Sequence, residues 1–163
     1  MDLLILRHGE AGKSSPLPED AKRTLTAEGI QEIVDLSRGL KVLEVKFDYI
    51  LTSSILRAKD TAEIVAKSLK FKGKIQELAS LKPEGSRLEF YSALSNLKQD
   101  SLVLVVGHEP YLSEMISEAI SQSDCRIHLK KAGLARIRVL STLPKLKGEL
   151  RWLLTPKLLK KLA

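Results

Sequence analysis

Three short apolar runs in this sequence end in residues that can do chemistry. Met1-Asp2-Leu3-Leu4-Ile5-Leu6 stops at Arg7-His8-Gly9-Glu10. Phe47-Asp48-Tyr49-Ile50-Leu51-Thr52 runs into Ser53-Ser54-Ile55-Leu56-Arg57-Ala58, and Ser101-Leu102-Val103-Leu104-Val105-Val106 into Gly107-His108-Glu109-Pro110. Two histidines and two arginines at such points suit covalent phosphoryl transfer. A neutral imidazole is a good nucleophile toward phosphorus, and arginines bind the nonbridging oxygens and stabilise transition-state charge. The planar guanidinium fork matches phosphate geometry. Arg57 falls in the first turn of a helix that follows a strand, where free backbone N–H groups and the positive dipole end favour an anion. Neighbouring cations disfavour imidazolium, which keeps His8 unprotonated until phosphate arrives.

Each residue alone has a plainer explanation. A strand-end histidine is more often a loop hydrogen-bonder, and a lone arginine more often a surface ion pair. The joint pattern is much less frequent by chance. Metal binding is disfavoured, because His8 and His108 have no carboxylate or cysteine partner at ligand spacing. His128, among Ile127, Leu129 and lysines, reads as a strand residue without a role.

The elements that position these residues follow from the apolar pattern. The three runs read as buried parallel strands, and in open α/β sheets ligands bind beyond the carboxyl ends of strands. Ala11 to Arg23 is a polar surface loop. Leu25 to Leu40 is a helix with Thr26 as N-cap and Gly39 near its end, where a left-handed cap would suit glycine. Ser53 or Ser54 caps a second helix reaching about Leu69. Lys74–Leu78 is a short strand, Lys82-Pro83-Glu84-Gly85 a turn, and Ser86-Arg87-Leu88-Glu89 a capping box opening a helix. Tyr111 to Ser121 is a further helix. Arg126–Lys130, Ala135–Leu140 and Glu149–Leu153 read as strands, and Pro156–Ala163 as an amphipathic turn or a frayed end. This alternation predicts an α/β domain, a three-layer α/β/α sandwich with a mostly parallel central sheet, spanning residues 1–163.

Composition bounds the function. The chain has 163 residues, 44% hydrophobic and 29% charged, which is ordinary for a globular protein able to bury a real core. A single cysteine, Cys125, excludes an intramolecular disulfide and a cysteine-based zinc site, and points to the reducing cytoplasm. No basic leader precedes the opening run, and no stretch approaches the roughly 20 apolar residues that span a membrane. Net charge is +7 with a pI near 9.5. Aromatics at 4% and scattered lysines argue against nucleic acid, leaving a solvated basic surface or an anionic partner.

These residues also carry a family resemblance. Leu6-Arg7-His8-Gly9-Glu10 resembles the signature of the histidine phosphatase superfamily, which has the phosphoglycerate mutase-like fold. Thr52-Ser53-Ser54-Ile55-Leu56-Arg57-Ala58-Lys59-Asp60-Thr61-Ala62 resembles its second motif, and Val106-Gly107-His108-Glu109-Pro110 its third. Arg23-Thr24-Leu25-Thr26-Ala27-Glu28-Gly29 and Trp152…Thr155-Pro156 are similar to the small SixA-type phosphohistidine phosphatases. The resemblance spans essentially the whole chain. It implies that His8 is the nucleophile, that Arg7, Arg23, Arg57 and His108 line the phosphate pocket, and that no metal or organic cofactor is needed. Ser14, in the same loop as Arg23, has no claim beyond proximity.

An alkoxide leaving group needs a proton. Among relatives that the chain resembles, a glutamate of the middle segment or an acidic residue after the second histidine donates it. Glu84 and Glu109 occupy those positions here, while Glu109 could equally cap the following helix and Glu10 hold its own loop. A phosphoimidazole leaving group needs little acid. Only about thirty residues separate the second helix from the strand leading to His108, which predicts an open, shallow pocket suited to a phosphate projecting from another protein. The expected function is hydrolysis of phosphohistidine in a partner protein, for which an acidic phosphorelay domain would suit the basic balance. The alternatives are a small-molecule phosphatase or mutase on the same residues, and a phosphate-binding interaction module without catalysis.

Overall fold

The structure, a computed structural model, describes residues 1–13, 16 and 18–162; Ser14 lies outside them. Among these residues six strands form one sheet: β1 Asp2–Arg7, β2 Tyr49–Ser53, β3 Ile75–Leu78, β4 Leu102–Gly107, β5 Leu134–Ser141 and β6 Lys147–Leu154. Their order is β3-β2-β4-β1-β5-β6. The first four are parallel neighbours, β5 runs antiparallel to β1, and β6 antiparallel to β5. An antiparallel edge on a parallel sheet is a common mixed arrangement.

The helices are α1 Ala27–Val42, α2 Leu56–Ser68, α3 Arg87–Ser95, α4 Tyr111–Ile120 and α5 Pro156–Lys160. Alternation along the strands sorts them into two layers. Leu3, Ile5, Val103 and Val105 pack against α3 and α4 through Phe90, Leu94, Leu112 and Met115. Leu4, Leu6, Leu104 and Val106 pack against α1, α2 and α5 through Ile33, Leu36, Val65 and Leu159. Because both faces are covered, β1 and β4 read as continuous apolar runs. Each fully buried leucine, isoleucine or valine contributes about 1.5–3 kcal/mol relative to exposure, which makes this pair of strands a rigid platform. Two of the predicted caps form: Thr26 Oγ1 accepts from Gly29 N–H at 3.0 Å, and Ser86 Oγ from Glu89 N–H at 3.3 Å.

Three local expectations need correction. Arg126–Lys130 is not a strand. Both edges of β5 are occupied, by β1 and by β6, so no free edge lies beside it for this segment. It runs irregularly instead and drops Leu129 into the core. Gly39 is not a left-handed cap: it lies inside α1, where a Cβ would stand 2.6 Å from the Leu159 carbonyl oxygen. Glycine there permits the close approach of α5, and the left-handed residue after α1 is Glu44, with φ 54°. Neither Ser53 nor Ser54 is the N-cap of α2; Ile55 holds that position without a side-chain cap. The chain's end is an amphipathic turn, since Leu159 of α5 is buried.

Candidate active site

Strand register assembles the site. In the β1–β4 pair Arg7 stands opposite Gly107, and His8 N–H donates to the Gly107 carbonyl at 3.1 Å. The residues next after these two strands, His8 and His108, therefore meet, with ring centroids 5.1 Å apart. β2 pairs with the other side of β4, so the β2–α2 junction brings Ser53 and Arg57 to the same end. The four residues expected at strand ends converge on one cleft of about 590 Å³, which Arg23 also lines.

His8 is held in one tautomer. Its Nδ1 lies 2.7 Å from the Gly9 carbonyl, which can only accept, so Nδ1 carries the proton. Nε2 therefore presents a lone pair, and Arg57 Nε donates to it at 3.2 Å. Burial and the nearby guanidinium groups of Arg57, Arg7 and Arg23 push the His8 pKa down to about 4. His108 is lowered to about 3, by burial first and then by His8 and Arg57. Both imidazoles are neutral at physiological pH. His108 Nε2 lies 2.9 Å from Ser53 Oγ, and that oxygen accepts from Ile55 N–H at 3.2 Å. Its buried Nδ1 has no protein partner among the described residues, nor does Arg7 Nε.

The surrounding backbone is tightly fixed. Arg7 donates through its NH1 to the Leu129 carbonyl at 3.0 Å. Ala132 N–H reaches both the Arg7 and His8 carbonyls at 3.1 Å, from a left-handed residue with φ 52°. Gly9 N–H donates to Thr61 Oγ1 at 3.2 Å, and that hydroxyl donates to the Arg57 carbonyl at 2.7 Å. Two glycines let α1 touch the His8 loop. A Cβ on Gly29 would lie 2.1 Å from the Glu10 carbonyl oxygen, and one on Gly9 would lie 3.0 Å from the Gly29 oxygen.

The carboxylates separate clearly. Glu109 lines the cleft, and its Oε1 accepts from Ser113 N–H at 2.9 Å, capping the first turn of α4. Glu84 is exposed in the turn before α3 and does not line the cleft. Glu10 lines it too, paired with Lys131 Nζ at 2.6 Å.

Sequence reading missed Asp20, Lys131 and Thr61. Asp20 bridges Arg23 and Arg57, at 2.8 and 3.3 Å. Its spacing of three from Arg23 was a weak local signal. Lys131 had none, since it meets Glu10 across 121 residues. Thr61 falls within the second motif, one turn beyond Arg57 on the same helix face, but no role was read for it. Arg57 itself is not the surface ion-pair former that an isolated arginine suggests, because only 4% of it is exposed.

The chain is similar to known proteins by sequence and by fold. A family model described as histidine phosphatase superfamily (branch 1) matches residues 3–83. The chain is 36% identical over 142 residues to an uncharacterized protein of Picosynechococcus sp., covering 85% of each. It is 30% identical over 120 residues to the phosphohistidine phosphatase SixA of Escherichia coli, covering 72% of this chain and 73% of SixA. A solved structure of the protein histidine phosphatase SixA complexed with tungstate superposes with a TM-score of 0.85 at 26% identity, covering 98% of this chain and 99% of the other. By sequence and by fold, the chain belongs to the histidine phosphatase superfamily.

Proposed function

We propose that the chain is a phosphatase working through a covalent phosphohistidine on His8. The observation that carries this reading is the fixed tautomer: Nδ1–H is bound to the Gly9 carbonyl and the Nε2 lone pair stands among arginines. Nε2 attacks phosphorus as the bond to the leaving group breaks. Arg7, Arg23 and Arg57 hold the nonbridging oxygens and balance their charge, and the neutral imidazole of His108 stands beside them as a hydrogen-bonding group. A water molecule then attacks the phosphohistidine, loses its proton to solvent, and releases inorganic phosphate with His8 restored.

The substrate we propose is phosphohistidine in a partner protein. Two features support it. Between α2 and β4 lie only β3, a short turn of helix and the nine residues of α3, too little to cover the cleft with a lid. The carboxylate that follows His108 is already committed to capping α4, which suits a leaving group needing little acid. For ester leaving groups, Glu109 is the candidate proton donor, because it lines the cleft and Glu84 does not. Net charge +7 favours an acidic partner, such as a phosphorelay domain. We take residues 1–163 as one catalytic domain acting in the cytoplasm. No helix among the described residues is long and apolar enough to cross a membrane.

Quenched-reaction mass spectrometry with a phosphohistidine protein tests the mechanism. Phosphate should appear on His8, and His8→Ala should abolish turnover while the fold persists. No phosphoenzyme with any donor would overturn the covalent route. Fast hydrolysis of sugar phosphates with none of phosphohistidine would overturn the substrate.

A further inference from the structure

Asp20 belongs to a short 3-10 turn, Glu19–Lys22, well apart in sequence from every strand end. Its carboxylate spans two arginines of the site. Oδ1 lies 2.8 Å from Arg23 Nε and Oδ2 lies 3.3 Å from Arg57 NH2. Its main-chain carbonyl takes a further hydrogen bond from Arg57 NH1 at 2.9 Å. All three nitrogens of Arg57 are therefore engaged, since Nε points at the nucleophilic nitrogen of His8. Arg23 is held on its other side by NH1 donating to the Gly12 carbonyl at 2.9 Å.

The side from which Asp20 acts decides its role. Arg23 and Arg57 both line the cleft, and Asp20 does not. A carboxylate competing with phosphate would line the cavity, in the place of the anion; this one pairs with both guanidinium groups without lining it. Two cations so close repel each other: burial first, and then Arg23, lowers the Arg57 pKa, while Asp20 acts in the opposite direction. Without a shared counter-charge the two would splay, and a guanidinium misplaced by about 1 Å can cost about 100-fold in rate.

We propose that Asp20 is a positioning residue, holding Arg23 and Arg57 at a single spacing so that both address the same phosphoryl group. The role rests on the phosphatase reading above. It assigns a function to a residue of the polar loop that touches neither the nucleophile nor the cleft.

Tungstate binding measured by calorimetry, together with turnover of a phosphohistidine protein, tests it in Asp20→Asn, Asp20→Glu and Asp20→Ala. Asp20→Ala should weaken tungstate and lower kcat about 10- to 100-fold, with the thermal midpoint little changed. Asp20→Glu, which keeps the charge, should recover part of both, and Asp20→Asn should fall between. In an Arg23→Ala background the Asp20→Ala effect should shrink, because one of the two groups it positions is gone. Should Asp20→Ala fail to fold, Asp20→Asn carries the test, being equal in shape and keeping the main-chain acceptor for Arg57. Tighter tungstate binding in Asp20→Asn would make Asp20 a competitor of the anion and overturn the proposal. Unchanged binding and kcat in the variants, with the wild type binding tungstate, would reduce Asp20 to an ordinary ion pair. A wild type that binds no tungstate would remove the phosphate site itself, and the role of Asp20 with it.

Discussion

At the scale of single residues, the open chemical question is the proton. Glu109 has one oxygen bound to the Ser113 N–H and stands beside the cleft. Glutamine in its place keeps an acceptor for the cap but cannot deliver a proton. Glu109→Gln should therefore leave turnover of phosphohistidine within about 3-fold, while slowing an alkyl phosphate ester by about 100-fold if that ester is turned over at all. Parallel kcat measurements on the two substrates check this. Equal losses on both would show that Glu109 serves positioning, and no loss on the ester would remove it as the acid. His8 and His108 illustrate how one environment sets two residues alike. Burial and the surrounding cations keep both neutral, one with its proton fixed on Nδ1 by a neighbouring carbonyl.

Among the elements, α1 supports the site although none of its side chains lines the cleft. Its first turn lies against the Gly9-Glu10 backbone, and its later turns carry α5 at Gly39. The two glycines are about 15 Å apart along the helix at 1.5 Å per residue. That separation allows a paired prediction. Gly29→Ala and Gly39→Ala should each destabilise the protein by about 1–3 kcal/mol, because a methyl group would meet backbone rather than a flexible side chain. Only Gly29→Ala should also lower kcat, since the atoms it displaces are those of Glu10, two residues from His8. Denaturant titrations and kinetics on both variants check this. An equal fall in kcat would show that α1 transmits disturbance along its whole length.

For the molecule as a whole, burying two neutral histidines links stability to pH. In the unfolded chain each imidazole titrates near 6.5, and in the folded protein near 4 and 3. Between those limits the unfolded state binds more protons. Stability should therefore be full above about pH 6.5 and fall as the pH drops, until the folded-state values are reached. The slope approaches ~1.4 kcal/mol per pH unit for each histidine. Urea titrations between pH 7 and pH 5 should show the loss, and His108→Asn should roughly halve it. A pH-independent midpoint across that window would contradict the neutral, buried state of the pair.

The sequence by itself determined the platform and which side chains stand at its end. Apolar runs the length of a strand, stopping at Arg7-His8, Ser53…Arg57 and Gly107-His108, are local patterns, and strand and helix propensities act over a few residues. The fold class and the placement of Arg7, His8, Arg23, Arg57 and His108 at one cleft were legible for that reason. The antiparallel end of the sheet was not, because pairing depends on which edges remain free, and β5 had both occupied. That left Arg126–Lys130 irregular and carried Lys131 to Glu10, a meeting that no local pattern announces. Gly39 was misread because its need for a missing Cβ arises from α5, more than a hundred residues later. Asp20 belongs to the same class. Its carboxylate is one charge in a polar loop until folding sets Arg23 and Arg57 on either side of it. Tertiary structure decided these points, because each is a contact between segments that meet only when the sheet closes.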